Sequence, residues 1–225
     1  MNRKIIAIGA EAVLYLEDWL GLTVLVKERL PKGYRRVEFD NYIRRSRTIN
    51  ETRAMIRARE LGIHVPRIYD VDPVNMRIRM EYLNGGVPLV RLLMSSSNGF
   101  NAAIISYIRT MGSYIGVLHR NGIVHGDPTP ANVLIVGGDK LYIIDFGLSE
   151  TLGRAPTIQD VRMLYKLALD LNVTLRSLEA LRKDQSHFLF AEFLSGYESV
   201  LGFELTGRVK AIVNKVRKMV RYSVR

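Results

Sequence analysis

His125-Gly126-Asp127-Pro128-Thr129-Pro130-Ala131-Asn132, followed by Ile144-Asp145-Phe146-Gly147, is the part of the chain on which every other reading depends. Between the two motifs, Val133–Val136 and Leu141–Ile144 read as a strand pair joined by Gly137-Gly138-Asp139. The order is an Asp, an Asn five residues later, and a second Asp beyond a hairpin. One carboxylate can orient or deprotonate an acceptor, while an amide oxygen and the second carboxylate hold a metal ion that neutralises phosphates. That trio is what phosphoryl transfer from a magnesium-bound nucleotide needs. Asp-Phe-Gly alone is an ordinary turn tripeptide; the two motifs together, at this spacing, are specific. Asp127 is therefore the expected catalytic residue, and Asn132 and Asp145 the expected metal ligands.

Upstream partners can be sought where this chemistry puts them. Lys27 ends the run Leu25-Val26-Lys27, placed to reach the α- and β-phosphates, and Glu51 stands on a following helix, placed to pair with it. Glu51 also completes Thr48-Ile49-Asn50-Glu51, a capping-box pattern in which it would bond back to the helix start instead. Ile8, Gly9, Ala10 and Glu11 occupy the place of a phosphate-covering loop, with a single glycine where such loops usually carry three. Met80, Glu81 and Tyr82 would offer backbone contacts to adenine, and Leu134 completes the expected nucleotide-binding set. No Gly-Lys-Ser/Thr phosphate loop is present, which removes the Walker-type alternative.

The pattern around these residues predicts an α+β chain with two lobes. Lys4–Ile8, Ala12–Leu16 and Leu22–Lys27 read as an antiparallel meander, Ser46–Leu61 as a helix stopped by Gly62, and Arg67–Val71 and Arg77–Tyr82 as two further strands. Asn84-Gly85-Gly86 is the expected hinge between a lobe at residues 1–83 and a mainly helical lobe at 87–225. Ser95–Gly99 reads as a surface loop. Ala102–Arg120 reads as a helix, with Ile104, Ile108, Met111, Ile115 and Leu118 on one side.

Composition bounds the rest. The chain has 225 residues and is 48% hydrophobic, enough for a packed core. It lacks cysteine, which excludes disulfide scaffolds, thiolate metal sites and cysteine nucleophiles. No apolar run reaches the roughly 18 residues of a membrane span, so a cytoplasmic protein is expected. The net charge of +11 comes from two segments: residues 27–59 hold 11 Lys/Arg against 4 Asp/Glu, and residues 208–225 hold 7 against none. In the second, Val209, Ile212, Val213, Val216 and Val220 fall on one helical face. Lys210, Lys215, Arg217, Lys218, Arg221 and Arg225 lie around it as candidate nucleic-acid contacts; the plainer alternative is a packed helix with a solvated basic face.

Taken together, Gly9-Ala10-Glu11-Ala12, Lys32-Gly33-Tyr34-Arg35, Asp40, Ser46-Arg47-Thr48 with Glu51, the His125–Asn132 loop and Ile144-Asp145-Phe146-Gly147-Leu148 resemble the protein-kinase-like superfamily. Within it they resemble the PRPK-type small atypical Ser/Thr kinases, the kinase/ATPase subunit of the KEOPS complex, over nearly the whole chain. The resemblance implies a minimal two-lobed kinase-like fold, ATP and Mg²⁺ as cofactors, and work in threonylcarbamoyl-adenosine modification of tRNA. It also implies two protein partners, a threonylcarbamoyltransferase subunit and a small subunit that binds the N-lobe, and no membrane. Where relatives carry Ala-Val-Asp-Leu-Tyr, this chain is read as Val161-Arg162-Met163-Leu164-Tyr165, so Asp160 is expected to take over the bracing of the catalytic loop.

Three departures from an ordinary protein kinase are legible. Gly126 stands where most carry an Arg that receives a phosphorylated activation loop, Thr129 replaces a common Lys, and only twelve residues separate Gly147 from Asp160. A conventional kinase acting on a diffusing protein is thereby disfavoured. Two alternatives remain: a small-molecule phosphotransferase of the aminoglycoside or choline kinase type, and a nucleotide-bound tRNA-binding scaffold with negligible turnover.

Overall fold

The computed structural model describes residues 3–96 and 99–222, so Ser97 and Asn98 of the expected surface loop lie outside it. Strands β1 (Lys4–Ile8), β2 (Ala12–Trp19), β3 (Leu22–Arg29), β4 (Ile68–Asp72) and β5 (Arg77–Glu81) form one antiparallel sheet in the order β1-β2-β3-β5-β4. Alternation along β3 decides what the sheet can do. Val24 and Val26 are fully buried with Tyr15 on one face, which leaves Leu25, Lys27 and Arg29 on the other. The second face is covered by helix α1 (Val37–Glu60) through Ala54, Met55 and Ala58.

Helix α1 begins nine residues before the expected Ser46. Its first half has little apolar periodicity, with Val37, Phe39 and Tyr42 exposed, so the pattern that announces the second half is absent. Charge holds this half instead. Asp40 is 3% exposed and accepts from the Lys32 amide, from Arg35 and from Arg44 Nε at 2.7 Å. Thr48 is consequently mid-helix, its hydroxyl donating to the Arg44 carbonyl at 2.8 Å, and the capping-box reading of Glu51 is excluded.

Beyond residue 86 come β6 (Val87–Pro88), α2 (Leu89–Ser95) and α3 (Ala102–Arg120), whose bounds are those expected. Asn101 caps α3, accepting from the Ile104 amide at 2.9 Å. Next follow β7 (Ile123–Val124), the hairpin β8 (Val133–Val136) and β9 (Lys140–Ile143), and β10 (Glu150–Thr151), then α4 (Val161–Leu181), α5 (Ser186–Leu201) and α6 (Phe203–Tyr222). Helices α3 and α5 touch backbone to backbone. A Cβ on Gly112 would lie 1.9 Å from the Phe193 carbonyl oxygen, and one on Gly196 1.9 Å from that of Arg109.

The C-terminal helix packs as expected through Val209, Val213 and Val216, with Ile212 partly buried beside them. Arg208, Lys210, Lys215 and Lys218 are exposed. Arg217 is not a free cation, since it pairs with Glu179 of α4 at 2.5 Å. The side chains of Val220 and Arg221, and the whole of Arg225, lie outside the described residues. No helix among the described residues is long and apolar enough to cross a membrane.

Candidate active site

Between the sheet and the helical body lies a cleft of about 830 Å³. Ile8, Gly9, Ala10, Glu11, Lys27, Glu51, Met80, Glu81, Tyr82, Leu134, Asn132 and Asp145 all line it, so the expected nucleotide and metal residues are brought to one place. Asp127 is not part of the lining; it is joined to it through Asn132. The Asn132 amide nitrogen donates to the Asp127 carboxylate at 2.8 Å and to its carbonyl at 2.9 Å, which leaves the amide oxygen uncommitted.

The centre of the cleft is a chain of charges. Lys27 Nζ lies 2.6 Å from Glu51 Oε1 and 2.8 Å from Asp145 Oδ1, and Arg29 Nη2 lies 2.5 Å from Glu51 Oε2. Burial works against the Lys27 ammonium, but Glu51 and Asp145 outweigh it and hold its pKa above the ordinary lysine value. Burial likewise opposes charge on Asp145, and the neighbouring Lys27 reverses the sign, holding that carboxyl below the usual Asp range. Asp145 sits at φ +59°, a left-handed conformation that Asp tolerates, and its Oδ1 accepts from the Gly147 amide at 3.1 Å.

Above the charges, the loop of residues 9–11 is latched rather than glycine-rich. Gly9 N donates to Ala12 O at 2.9 Å, Lys32 Nζ donates to the Ala10 carbonyl, and Glu11 pairs with Arg47. The hydrogen bond from Arg47 keeps the Glu11 carboxyl below its ordinary pKa, against a modest opposing effect of burial.

The His125–Asn132 loop is braced by a residue the sequence reading did not find. Asp170 Oδ2 accepts from the His125 amide at 2.8 Å and Oδ1 from the Gly126 amide at 2.9 Å. Asp170 is in turn held by His119 at 3.1 Å, and His119 by the Tyr197 hydroxyl at 2.8 Å, all buried. The assignment of this role to Asp160 is therefore overturned. Asp160 caps α4, accepting from the Met163 amide at 3.1 Å, and pairs with Arg154. Its place at the N-terminus of α4, bonded to the Met163 amide and to exposed Arg154, keeps it away from the loop. The available signal was a lone acid in the apolar stretch Leu167-Ala168-Leu169-Asp170-Leu171.

Gly126 has a positive reason as well as a missing arginine. At φ +87° its absent Cβ would fall 2.3 Å from the Leu148 carbonyl oxygen, so the loop and the segment after Asp-Phe-Gly meet backbone to backbone there. That segment is stitched down at once: Thr151 pairs with Ile123, Glu150 with Val124, and the Leu152 amide donates to the Gly122 carbonyl at 2.7 Å. A short region held in this way cannot swing as a long activation loop does.

A family model described as the ABC1 atypical kinase-like domain matches residues 34–174. Fold and site thus define an atypical kinase-like protein. KEOPS complex subunit Bud32 of Pyrococcus abyssi is 35% identical over 231 residues, covering 99% of this chain and 97% of that relative. The chain belongs to this Bud32 family of atypical kinase-like proteins. Proteins described as probable bifunctional tRNA threonylcarbamoyladenosine biosynthesis proteins are also similar. That of Methanothermobacter thermautotrophicus is 33% identical over 95% of this chain and 36% of its own length, and that of Methanosarcina mazei 35% identical over 96% and 35%. The chain spans about a third of those two longer relatives.

His125 gives a test of how the loop is held. Its ring is buried against Phe146, centroids 4.7 Å apart, and burial pushes its pKa below the ordinary 6.5 despite nearby Asp170, Asp145 and Asp127. The unfolded chain then takes up a proton that the folded chain refuses. The contribution to stability is complete above pH 6.5 and is lost progressively as pH falls from there toward the lower folded-state value. Urea midpoints measured from about pH 7.5 to about pH 5.5 should fall in the wild type and fall less steeply in His125→Asn. Equal slopes in the two proteins would contradict the buried neutral ring.

Proposed function

We propose that this chain is a Mg²⁺-ATP-dependent phosphotransferase or ATPase that supports threonylcarbamoyl-adenosine formation in tRNA as the kinase-like subunit of a KEOPS complex. The observation that carries the reading is the meeting, in one cleft, of Lys27 paired to Glu51 with Asn132 and Asp145, with Asp127 joined to that cleft through its hydrogen bond from Asn132. In this reading residues 84–86 are the hinge between the lobes at 1–83 and 87–225. Met80, Glu81 and Tyr82 receive adenine at the hinge side, with Ile8 and Leu134 packing against it, and Gly9, Ala10 and Glu11 close over the phosphates.

The donor set fits magnesium. One carboxylate, Asp145, and one uncommitted amide oxygen, Asn132, are hard oxygen donors that would hold the ion, with phosphate oxygens and water as its further ligands. Among the described residues no cluster of three or more His, Cys, Asp or Glu suits a metal, so an all-protein cage is not the alternative. Bound magnesium would neutralise the phosphate oxygens as charge shifts to the leaving group. Lys27 exchanges its contact with Asp145 for the α- and β-phosphates while keeping Glu51. Asp127, with one oxygen fixed by Asn132, orients the acceptor hydroxyl or water and accepts its proton.

The names of the relatives point to a multi-subunit complex and to tRNA threonylcarbamoyladenosine formation. Within such a complex we take the partners of this chain to be a threonylcarbamoyltransferase subunit, a small subunit that binds the N-lobe, and tRNA. The charge pattern supports the nucleic-acid part. In residues 27–59 most cations are already used: Lys27, Arg29, Arg35, Arg44, Arg47 and Arg57 pair with carboxylates, and Lys32 and Arg59 donate to carbonyls. On α6, Arg208, Lys210, Lys215 and Lys218 face solvent on a helix whose valines hold it to the body, a basic ridge with no catalytic duty.

Two measurements test this reading. Purified protein should hydrolyse or transfer phosphate from Mg²⁺-ATP faster when the threonylcarbamoyltransferase partner and tRNA are added, and Asp127→Asn should lower that turnover about 10²–10⁴-fold while leaving nucleotide affinity nearly unchanged. Turnover unaltered in Asp127→Asn would remove the residue from its role. For tRNA, replacing Lys210, Lys215 and Lys218 by Gln should flatten the slope of log K against log salt by about 2–3, and an unaltered slope would leave the ridge as a solvated face.

A further inference from the structure

We propose that Arg29 is a positioning residue of the nucleotide site, fixing Glu51 and with it both Lys27 and helix α1 in the phosphate-binding arrangement. The inference rests on the reading of the cleft as a Mg²⁺-ATP site. Arg29 stands two residues after Lys27 on β3, so the strand period points both side chains into the cleft. It is 4% exposed, and its guanidinium takes the second oxygen of Glu51 at 2.5 Å while Lys27 takes the first at 2.6 Å. The carboxylate, 1% exposed, therefore has one cation on each oxygen and no freedom to turn.

Arg29 also connects the elements that must agree for phosphate to be held. Its Nη1 lies 3.6 Å from Glu11, whose carboxylate Arg47 of α1 also engages, so the phosphate-covering loop is tied to the same point as Glu51. Its Nη2 lies 3.1 Å from where a Cβ on Gly147 would be, against the backbone that carries Asp145. Its own backbone is pinned as well, the amide donating to Met76 O at 3.1 Å and the carbonyl accepting from Arg44 Nη1 at 3.2 Å. One side chain thus spans β3, α1, the loop of residues 9–11 and the Asp-Phe-Gly turn.

Stability alone is a poor account of this arrangement. Burying a guanidinium is costly, its Nε has no hydrogen-bond partner among the described residues, and apolar residues of similar volume often replace buried ion pairs without loss. What an apolar residue cannot do is orient Glu51. If α1 swung outward, Glu51 would have to leave two cations rather than one, leaving Lys27 with Asp145 alone and buried Arg29 with only the longer contact to Glu11. Arg29 therefore makes the Lys27–Glu51 pair a fixed feature, in keeping with the stitched-down segment after Gly147 and the absence of an arginine at Gly126.

The test uses the full chain with and without Glu51→Gln, carrying Arg29→Met or Arg29→Lys, and follows Mg²⁺-ATP affinity, KM, kcat and thermal unfolding. Arg29→Met should fold cooperatively yet raise the KM for Mg²⁺-ATP about 10–100-fold, the range for loss of a residue that orients a ligand-binding group. Arg29→Lys should recover part of the loss, since an ammonium can reach Glu51 but cannot also span to Glu11. In the Glu51→Gln background either change should add less than about threefold, because the residues act as one unit. Unimpaired kinetics in Arg29→Met, or losses that simply multiply with Glu51→Gln, would overturn the inference. Should Arg29→Met fail to fold, the Arg29→Lys and Glu51→Gln cycle decides by the same criterion. A wild-type protein that neither binds nor turns over Mg²⁺-ATP would overturn the reading of the cleft, and the inference with it.

Discussion

A carboxylate buried to 1% exposure, Glu51, is the point from which the active cleft is built. Such a charge is tolerated only when paired and hydrogen-bonded, and removal of one partner of a buried pair typically costs about 3–5 kcal/mol. The requirement propagates outward. It fixes β3, which must present Lys27 and Arg29 on one face, and α1, whose register must bring Glu51 between them. Lys27 then reaches Asp145 across the cleft, so the sheet and the helical body are joined at their facing surfaces by charge as well as by packing.

A second buried carboxylate does the same work in the helical body. Asp170 receives the amides of His125 and Gly126 and is backed by His119 and Tyr197, which carries support from α5 through α3 and α4 to the catalytic loop. The close approach of α3 and α5 at Gly112 and Gly196 brings Tyr197 within reach of His119. Both halves of the site are accordingly organised around an acid whose oxygens are fully committed, and the groups left free for chemistry, Asp127 and the Asn132 oxygen, hang from these supports.

Much of this was legible in the sequence, and the failures have physical causes. Residues 125–132 and 144–147 carry their chemistry in short-range spacing, and Lys27, Glu51 and the loop at residues 8–11 could be placed from it. The α3 bounds were readable because Ala102–Arg120 has a clean apolar stripe. The first nine residues of α1 were not, since ionic bonds around Asp40 hold them where periodicity is silent. Spacing from the Asp-Phe-Gly turn does not separate Asp160 from Asp170; burial does, and an acid inside an apolar helix is the better signal. The basic segments looked equal as sums of charge. The ion pairs divide them: the first is largely spent inside the fold, and the second, apart from Arg217, is turned to solvent where its side chains are described.

A site assembled before nucleotide arrives is tested most directly by a crystal structure of the protein with Mg²⁺ and a non-hydrolysable ATP analogue. Lys27 should leave Asp145 for the phosphates while both Glu51 contacts and the position of α1 are kept, with the metal on Asn132 and Asp145. A nucleotide bound elsewhere, or an α1 displaced so that Glu51 meets Lys27 only in the complex, would contradict it.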